Sequence, residues 1–233
     1  MMNNAYKNFT SKQELANAFA IEVETILSKS IKLNNKATLL LSGGNTPKLF
    51  LNTLSTKKLD WEKVTIGLVD ERCVETSNKD SNEYLIKNEL CINDAKKANF
   101  IGMFKSSSLK LEEQVKECST VYRNFFQNAD VLVLGMGNDG HTASLFPFNE
   151  KLELAYNLEN PTFCISIKPD TAPYERISLT LDSILKAKNI FLHIEGKEKI
   201  EVYNEVIKSD DTLKYPILKV FNSTNSIKVY AHE

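Results

Sequence analysis

The chain has 233 residues, enough to bury a substantial core and few enough for one domain, so residues 1–233 are predicted to form a single domain. Its 29 basic and 30 acidic side chains nearly cancel, which argues against nucleic acid or a membrane surface as a partner and favours a small-molecule or protein ligand. No apolar run approaches the roughly 18 residues that span a bilayer.

The cysteines and the three histidines are too dispersed to indicate a metal site. There is no C-x-x-C motif, and no histidine stands at metal-ligand spacing from a cysteine. The N-terminal residues are polar and lack the apolar segment of an export signal. We therefore expect reduced thiols, no metal, no cofactor, and a cytoplasmic protein that is a monomer or a small homo-oligomer. The four cysteines are Cys73, Cys91, Cys118 and Cys164.

An amphipathic helix is predicted near the N-terminus. Ser11 is suited to cap it, with Glu14 three residues further on, as in a capping box. The apolar residues that follow recur at helical spacing. They are Leu15, Phe19, Val23 and Ile26.

Short apolar runs that end in polar or glycine-containing turns follow this helix, and each is typical of a buried strand. They are ATLLL, VTIGLV, FIGMF, VLVLG, FCISIK, RISLTL, NIFLHIE and SIKVYAHE. Helical stretches lie between them, and the longest is predicted to bury one face made of Leu111, Val115, Cys118, Val121 and Phe125. This alternation predicts an α/β fold with three layers, α/β/α, around a mostly parallel, Rossmann-like sheet.

Gly135, Gly137 and Gly140 follow one such strand at the G-x-G-x-x-G spacing of a dinucleotide site. That fingerprint also requires a long helix after the glycines and an acidic residue about 20 positions further on. Pro147 limits any helix that opens at residues 139–142 to about two turns, and the acidic residue is missing. We therefore expect the glycines to shape a turn that presents Asp139, His141, Thr142 and Ser144.

Three strands end in turns with unusual chemistry, and in an open parallel sheet such turns meet at the ligand-binding edge. We call residues 42–46 the cradle loop, because its glycine N–H groups and two hydroxyls predict a phosphate site that needs no metal. An ordinary strand–helix turn is the alternative interpretation. The residues of the cradle loop are Ser42, Gly43, Gly44, Asn45 and Thr46.

The second turn contains Asp70, Glu71 and Arg72. Arg72 is suited to bind a phosphate or stabilise an oxyanion, and Asp70 is suited to orient a sugar hydroxyl. A surface ion pair is the alternative. Further positive charge in the same pocket is predicted from Arg176, at the start of RISLTL, and from Lys199. Two other basic residues are not assigned to the pocket, because Arg123 is expected to be solvated and His193 is expected to be a core residue.

The segments LSGGNTP, DERCVETSNKDSN, LGMGNDGHTASLFP and RISLTL, with the weaker GKEK, occur in family-like order and spacing. On these residues the chain resembles the glucosamine-6-phosphate isomerase/6-phosphogluconolactonase family over about residues 38–205. The third segment is the most specific, because related deaminases have I-A-F-N-E-P after the histidine where this chain has T-A-S-L-F-P. Two positions depart from the lactonase pattern: Phe148 replaces a common glycine, and the C-terminal VYAHE replaces a W-x-x-D-like ending.

The resemblance implies the fold shared by ribose-5-phosphate isomerase, glucosamine-6-phosphate deaminase and the CoA transferase-like proteins. It implies hydrolysis of 6-phosphoglucono-1,5-lactone to 6-phosphogluconate in the oxidative pentose phosphate pathway, without a metal. His141 would be the general base, with Asp139 orienting it and Arg72 among the ligand-binding groups. A covalent route through Ser144 is disfavoured, since the G-x-S-x-G elbow is missing.

Two alternatives stay open at this point. The first is a glucosamine-6-phosphate deaminase/isomerase in which Asp70 is the proton-transfer base, although HTASLFP and the arginine of DER argue against it. The second is a non-catalytic sugar-phosphate sensor, although such sensors usually carry an additional helix-turn-helix segment, and only one helix is predicted before the first strand.

Overall fold

A computed structural model describes residues 5–159, 161–224 and 226–233. The strands in these residues are β1 (Ala5–Asn8), β2 (Ala37–Leu41), β3 (Val64–Leu68), β4 (Asp70–Arg72), β5 (Asn99–Phe100), β6 (Val131–Leu134), β7 (Cys164–Ile167), β8 (Arg176–Leu179), β9 (Ile190–Glu195) and β10 (Ile227–His232). The α-helices are α1 (Lys12–Asn34), α2 (Lys48–Ser55), α3 (Asn82–Glu89), α4 (Leu111–Phe126), α5 (Leu152–Tyr156), α6 (Leu181–Leu185), α7 (Lys197–Val206) and α8 (Pro216–Ser223).

Seven strands form the central sheet in the order β1-β10-β9-β6-β2-β3-β5, and every neighbouring pair is parallel. Its central strand β6 is apolar and buried at every position, as is typical of a parallel sheet that helices flank. The predicted α/β fold with a mostly parallel sheet is therefore confirmed. None of the helices in the described residues combines the length and the apolar character needed to cross a membrane.

A second sheet, which the sequence did not predict, lies beside the first. It has three antiparallel strands in the order β4-β8-β7. Asp70, Glu71 and Arg72 were expected in a turn, but they form β4 and pair with the start of β8. This pairing carries residues from distant parts of the chain to the edge of the parallel sheet.

The helix α1 begins as predicted: the Ser11 side chain accepts a hydrogen bond from the backbone N–H of Glu14 at 3.1 Å. Its buried face continues through Leu27, whereas Ile26 is only partly buried. On α4, Cys118 is buried as predicted and Leu111 and Val115 are partly buried, but the C-terminal part of the predicted face is wrong by one position. Phe125 is 50% exposed, and the fully buried residues are Tyr122 and Phe126. Apolar residues occur on both the predicted and the observed face of α4, so their periodicity could not show which face is buried.

A cluster of polar groups joins α1 to the edge of the central sheet. Glu22 accepts hydrogen bonds from Lys228 at 2.5 Å, from the Tyr230 hydroxyl at 2.7 Å and from Lys7 at 3.1 Å. Partial burial alone would raise the pKa of Glu22, but these donors outweigh it and lower the pKa to about 2. The ionised carboxylate therefore stabilises the attachment of α1 to β1 and β10.

We expect the free energy of unfolding to depend on Glu22 in acid. A lowered folded pKa gives stability that is present above the ordinary value of 4.5 and is lost as pH falls towards about 2. In urea titrations at pH 5, 3 and 2, the free energy of unfolding should therefore fall less steeply with decreasing pH for Glu22→Gln than for the wild type. Glu62→Gln, at an exposed pair with Lys97, is the control. An equal loss of unfolding free energy between pH 5 and pH 2 in wild type and Glu22→Gln would contradict this role of Glu22.

Candidate active site

A cavity of about 190 Å³ lies at the carboxyl ends of β2 and β6, and we call it the crevice. Its position is the one expected for ligands of open α/β sheets. The predicted residues that line it are Ser42, Gly43, Gly44, Asn45, Thr46, Asp70, Arg72, His141, Arg176 and Lys199. Asp139 reaches the crevice only through its contact with His141. The structure thus brings together the residues that sequence analysis selected.

Asp139 and His141 form a hydrogen-bonded pair at the edge of the crevice. The Asp139 Oδ1 atom lies 2.6 Å from His141 Nδ1 and also accepts the His141 backbone N–H at 3.0 Å. Burial raises the pKa of Asp139, but the hydrogen bonds from His141 outweigh this and lower it, so the carboxylate is ionised at neutral pH. With Nδ1 engaged, Nε2 is the ring nitrogen available for chemistry.

The backbone around this pair is a tight turn. Gly137 N–H donates to the His141 carbonyl at 2.9 Å, and Gly140 N–H donates to the Gly137 carbonyl at 3.0 Å. Gly140 has φ of +81°, a left-handed conformation that favours glycine. No helix opens at residues 139–142. The chain instead turns again at Ala143, which has φ of +50°.

Buried side-chain hydrogen bonds explain why a second turn, and not a helix, follows His141. The Thr142 hydroxyl donates to the Gly135 carbonyl at 2.8 Å, and the Ser144 hydroxyl donates to Asp70 at 2.5 Å. Both side chains are fully buried. Contacts of this kind override weak helix propensity. Because its hydroxyl is buried against Asp70, Ser144 has the environment of a structural residue and not of a nucleophile.

Gly137 has no side chain, and the Asp139–His141 pair occupies the space that a Cβ atom would take. A Cβ atom at this position would lie 2.2 Å from His141 Nδ1 and 2.6 Å from Asp139 Oδ1. Gly137→Ala is therefore expected to displace the imidazole and lower kcat by about 10²-fold. Gly135→Ala is the matched comparison and should keep most of its activity, because its nearest neighbour, Ser42 Cβ, would lie at 3.9 Å. Equal kcat values for the two variants, measured with the assay given below, would contradict this steric account.

The cradle loop connects β2 to α2 and forms one wall of the crevice. The Ser42 hydroxyl donates to the Val133 carbonyl at 3.0 Å and accepts the Gly135 N–H at 3.1 Å, which joins the loop to β6. Thr46 accepts a hydrogen bond from Lys199 at 3.0 Å, so this ammonium group lies beside the loop. Burial lowers the pKa of Lys199, although Glu195 opposes the effect. A cation next to glycine N–H groups is a suitable anion site.

Arg72 and Arg176 lie directly opposite one another in the β4–β8 register. Like charges at such positions destabilise a sheet. Burial lowers the pKa of Arg176, despite Asp70 at 3.8 Å, and within the described residues neither arginine Nε has a hydrogen-bond partner. Costs of this kind are typical of functional sites. Two guanidinium groups held in this way are suited to bind an anionic ligand.

Two residues that the sequence analysis did not count among the site residues hold this wall in place. Glu71 is buried, and its carboxylate accepts the backbone N–H groups of Asn82 and Glu83, both at 2.7 Å, at the start of α3. Asn82 donates to the Asp70 carbonyl at 2.8 Å and lines the crevice. The motif D-S-N, which follows DER in the sequence, was the available signal for Asn82.

Of the two predictions made for His193 and Arg123, the first is confirmed and the second is wrong. His193 is 2% exposed, as predicted, and also lines the crevice. Its Nε2 lies 2.9 Å from Glu195 Oε1. Arg123 was expected to be solvated, but it is partly buried, donates to the Pro161 carbonyl and lies over the Phe163 ring. It lies outside the crevice.

Phe148, the departure noted in the sequence, has φ of +55° and is 67% exposed. The left-handed conformation costs a residue with a side chain roughly 1–2 kcal/mol, and glycine avoids this cost. This explains the preference for glycine at the position. No group of three or more His, Cys, Asp or Glu side chains within residues 5–159, 161–224 and 226–233 is arranged to hold a metal ion.

Fold and crevice together define an α/β protein with a cationic, polar cavity at the carboxyl edge of its parallel sheet. Residues 10–229 match the family described as glucosamine-6-phosphate isomerases/6-phosphogluconolactonase. A 6-phosphogluconolactonase of Neisseria meningitidis is 36% identical over 217 residues, which cover 93% of this chain and 94% of the relative. The chain belongs to this family, and the resemblance inferred from its motifs is confirmed.

Solved structures agree with this assignment. The crystal structure of a 6-phosphogluconolactonase from Shewanella baltica OS155 has a TM-score of 0.94 at 36% identity, covering 99% of this chain and 98% of that chain. A monomeric glucosamine-6-phosphate deaminase has a TM-score of 0.79 at 18% identity, with coverage of 98% and 97%. At that identity the second likeness shows the fold alone. It confirms that the fold is shared with the deaminases.

Proposed function

We propose that the protein hydrolyses 6-phosphoglucono-1,5-lactone to 6-phosphogluconate in the oxidative pentose phosphate pathway, with His141 as general base. The observation that carries this proposal is the 2.6 Å contact between Asp139 and His141 beside a crevice lined by Arg72, Arg176 and Lys199. The relatives of about one-third identity that bear the name 6-phosphogluconolactonase support the same reaction.

In the proposed mechanism, His141 Nε2 removes a proton from a water molecule whose oxygen attacks the lactone carbonyl carbon. Asp139 stabilises the imidazolium that forms and holds the ring by Nδ1. Arg72 stabilises the tetrahedral oxyanion. When the intermediate collapses, the bond between the carbonyl carbon and the ring oxygen breaks, and His141 returns its proton to that oxygen. General acid–base catalysis of this kind contributes about 10²- to 10⁴-fold.

The phosphate of the substrate is assigned to the cradle loop, with Lys199 and Arg176 supplying charge. Binding energy from this remote group orients the lactone for attack. Asp70 is assigned a positioning role, since it is buried and accepts the Ser144 hydroxyl at 2.5 Å. A carboxylate held in this way is poorly suited to be the mobile proton-transfer base that deaminase chemistry would require.

The proposal treats residues 1–233 as one domain, which the continuous core of the described residues supports. It requires neither a metal nor a cofactor. A cytoplasmic location is inferred from four free cysteines, a state that a reducing compartment maintains. A monomer or a small homo-oligomer is the inferred assembly.

The reaction can be tested with lactone generated in situ by glucose-6-phosphate dehydrogenase. Addition of the protein should accelerate loss of the lactone well beyond its spontaneous hydrolysis. A parallel incubation with glucosamine 6-phosphate should release no ammonia. Ammonia release without faster lactone loss would replace the proposal by a deaminase, and phosphosugar binding without either activity would replace it by a sensor.

A further inference from the structure

We propose that Phe146 is a positioning residue that holds both the imidazole of His141 and the guanidinium of Arg176 in place. This inference rests on the proposed function, because it concerns the orientation of the base assigned there. Phe146 is 4% exposed and lies behind the residues that line the crevice. It would therefore act on the reaction through its two neighbours and not by touching the substrate.

One aromatic ring contacts both functional groups. The rings of Phe146 and His141 are stacked, with centroids 4.5 Å apart and an angle of 27° between their planes. The Arg176 Cζ atom lies 5.4 Å from the Phe146 centroid. These separations fall within the ranges for favourable aromatic and cation–π interactions. Phe146 is thus the physical link between the base and the buried cation.

The second turn of the backbone creates this stack. Leu145 N–H donates to the Thr142 carbonyl at 2.9 Å, and the left-handed Ala143 reverses the chain between them. The side chain five positions after His141 is thereby returned to the face of its imidazole. A helix over the same residues would have placed positions three and four further on beside the histidine. The turn therefore has a specific consequence for the site.

The contact supplies a constraint that the hydrogen bond to Asp139 does not. That bond fixes Nδ1, but the imidazole plane can still tilt about it. The flat face of Phe146 restricts the tilt and so sets the direction of Nε2. The guanidinium of Arg176 is also weakly held by polar contacts. Its nearest carboxylate oxygen, on Asp70, is 3.8 Å away, and its Nε has no hydrogen-bond partner among the described residues.

The test is Phe146→Leu, which keeps an apolar side chain and removes the aromatic face. We expect kcat to fall about tenfold and KM to rise about threefold, in line with the strength of such contacts. The ring protons of His141 should also lose the ring-current shift that a stacked phenyl group produces, which NMR can measure. Phe126→Leu is the matched control, since Phe126 is fully buried against Gly67 of β3 and Tyr122 and does not line the crevice.

Phe126→Leu should lower the thermal midpoint to a similar extent while leaving kcat, KM and the His141 ring signals unchanged. A Phe146→Leu enzyme with wild-type kcat and KM would overturn the inference, and so would equal losses of kcat in the two variants. The proposed function is tested separately by His141→Ala. If His141→Ala keeps full activity, the assignment of the base fails. The His141 ring signals of the wild type and of Phe146→Leu still report whether Phe146 stacks on the imidazole.

Discussion

Replacement of His141 by alanine is expected to lower kcat for the phosphorylated lactone by about 10²- to 10⁴-fold, after subtraction of spontaneous hydrolysis. The physical reason is that the structure pairs Nδ1 of this imidazole with Asp139 at 2.6 Å, which leaves Nε2 available, and places His141 in the lining of the crevice. Without it, water must attack the lactone without a base, and the ring oxygen must leave without an acid. The remaining rate would come from binding and from the positive charge of Arg72.

The fold should survive this change. The His141 side chain is 30% exposed, and the turn is closed by backbone hydrogen bonds from Gly137 and Gly140 that alanine retains. Thermal unfolding should therefore show a midpoint close to that of the wild type. His232→Ala is the matched control, since its Nδ1 contacts only the Phe9 carbonyl in the described residues. Full activity of His141→Ala would show that another group is the base.

The second large effect is expected from Arg176→Ala. Charge-assisted hydrogen bonds to a phosphate are worth about 1.5–3 kcal/mol, so kcat/KM should fall roughly 10- to 150-fold, mainly through KM. Arg176 is only 7% exposed and has no hydrogen bond to a carboxylate of the described residues, so an incoming phosphate would complete its coordination. Asp70 keeps its donors Ser144 and Asn82 in the variant, which preserves the local structure.

A pair of substrates makes this test specific for the phosphate. Wild type and Arg176→Ala should hydrolyse glucono-1,5-lactone, which lacks the phosphate, at similar low rates. The difference between them should emerge only with the phosphorylated lactone. Arg123→Ala is the control, because this arginine lies outside the crevice. Equal losses on both lactones would assign Arg176 to the reacting carbonyl in place of the phosphate.

Much of the site could be predicted because its residues follow strand ends. In a parallel sheet the carboxyl ends converge, so Ser42, Asp70 and His141 could be placed at one edge from local patterns alone. The stack on Phe146 could not be predicted in this way, because it depends on the turn at Ala143. That turn is stabilised by the buried hydrogen bond of Thr142 to Gly135 and, above all, by that of Ser144 to Asp70, which lies 74 positions away in the chain.

The sequence by itself determined the α/β class, the three segments that meet at the crevice and the chemistry of the residues in them. These features follow from the spacing of apolar residues and from the conformational freedom of glycine, which are local properties. Only the tertiary structure decided that β4 pairs with β8, which places Arg72 opposite Arg176, and which face of α4 is buried. Pairing of distant segments depends on how whole surfaces pack against one another, and local periodicity does not encode that information.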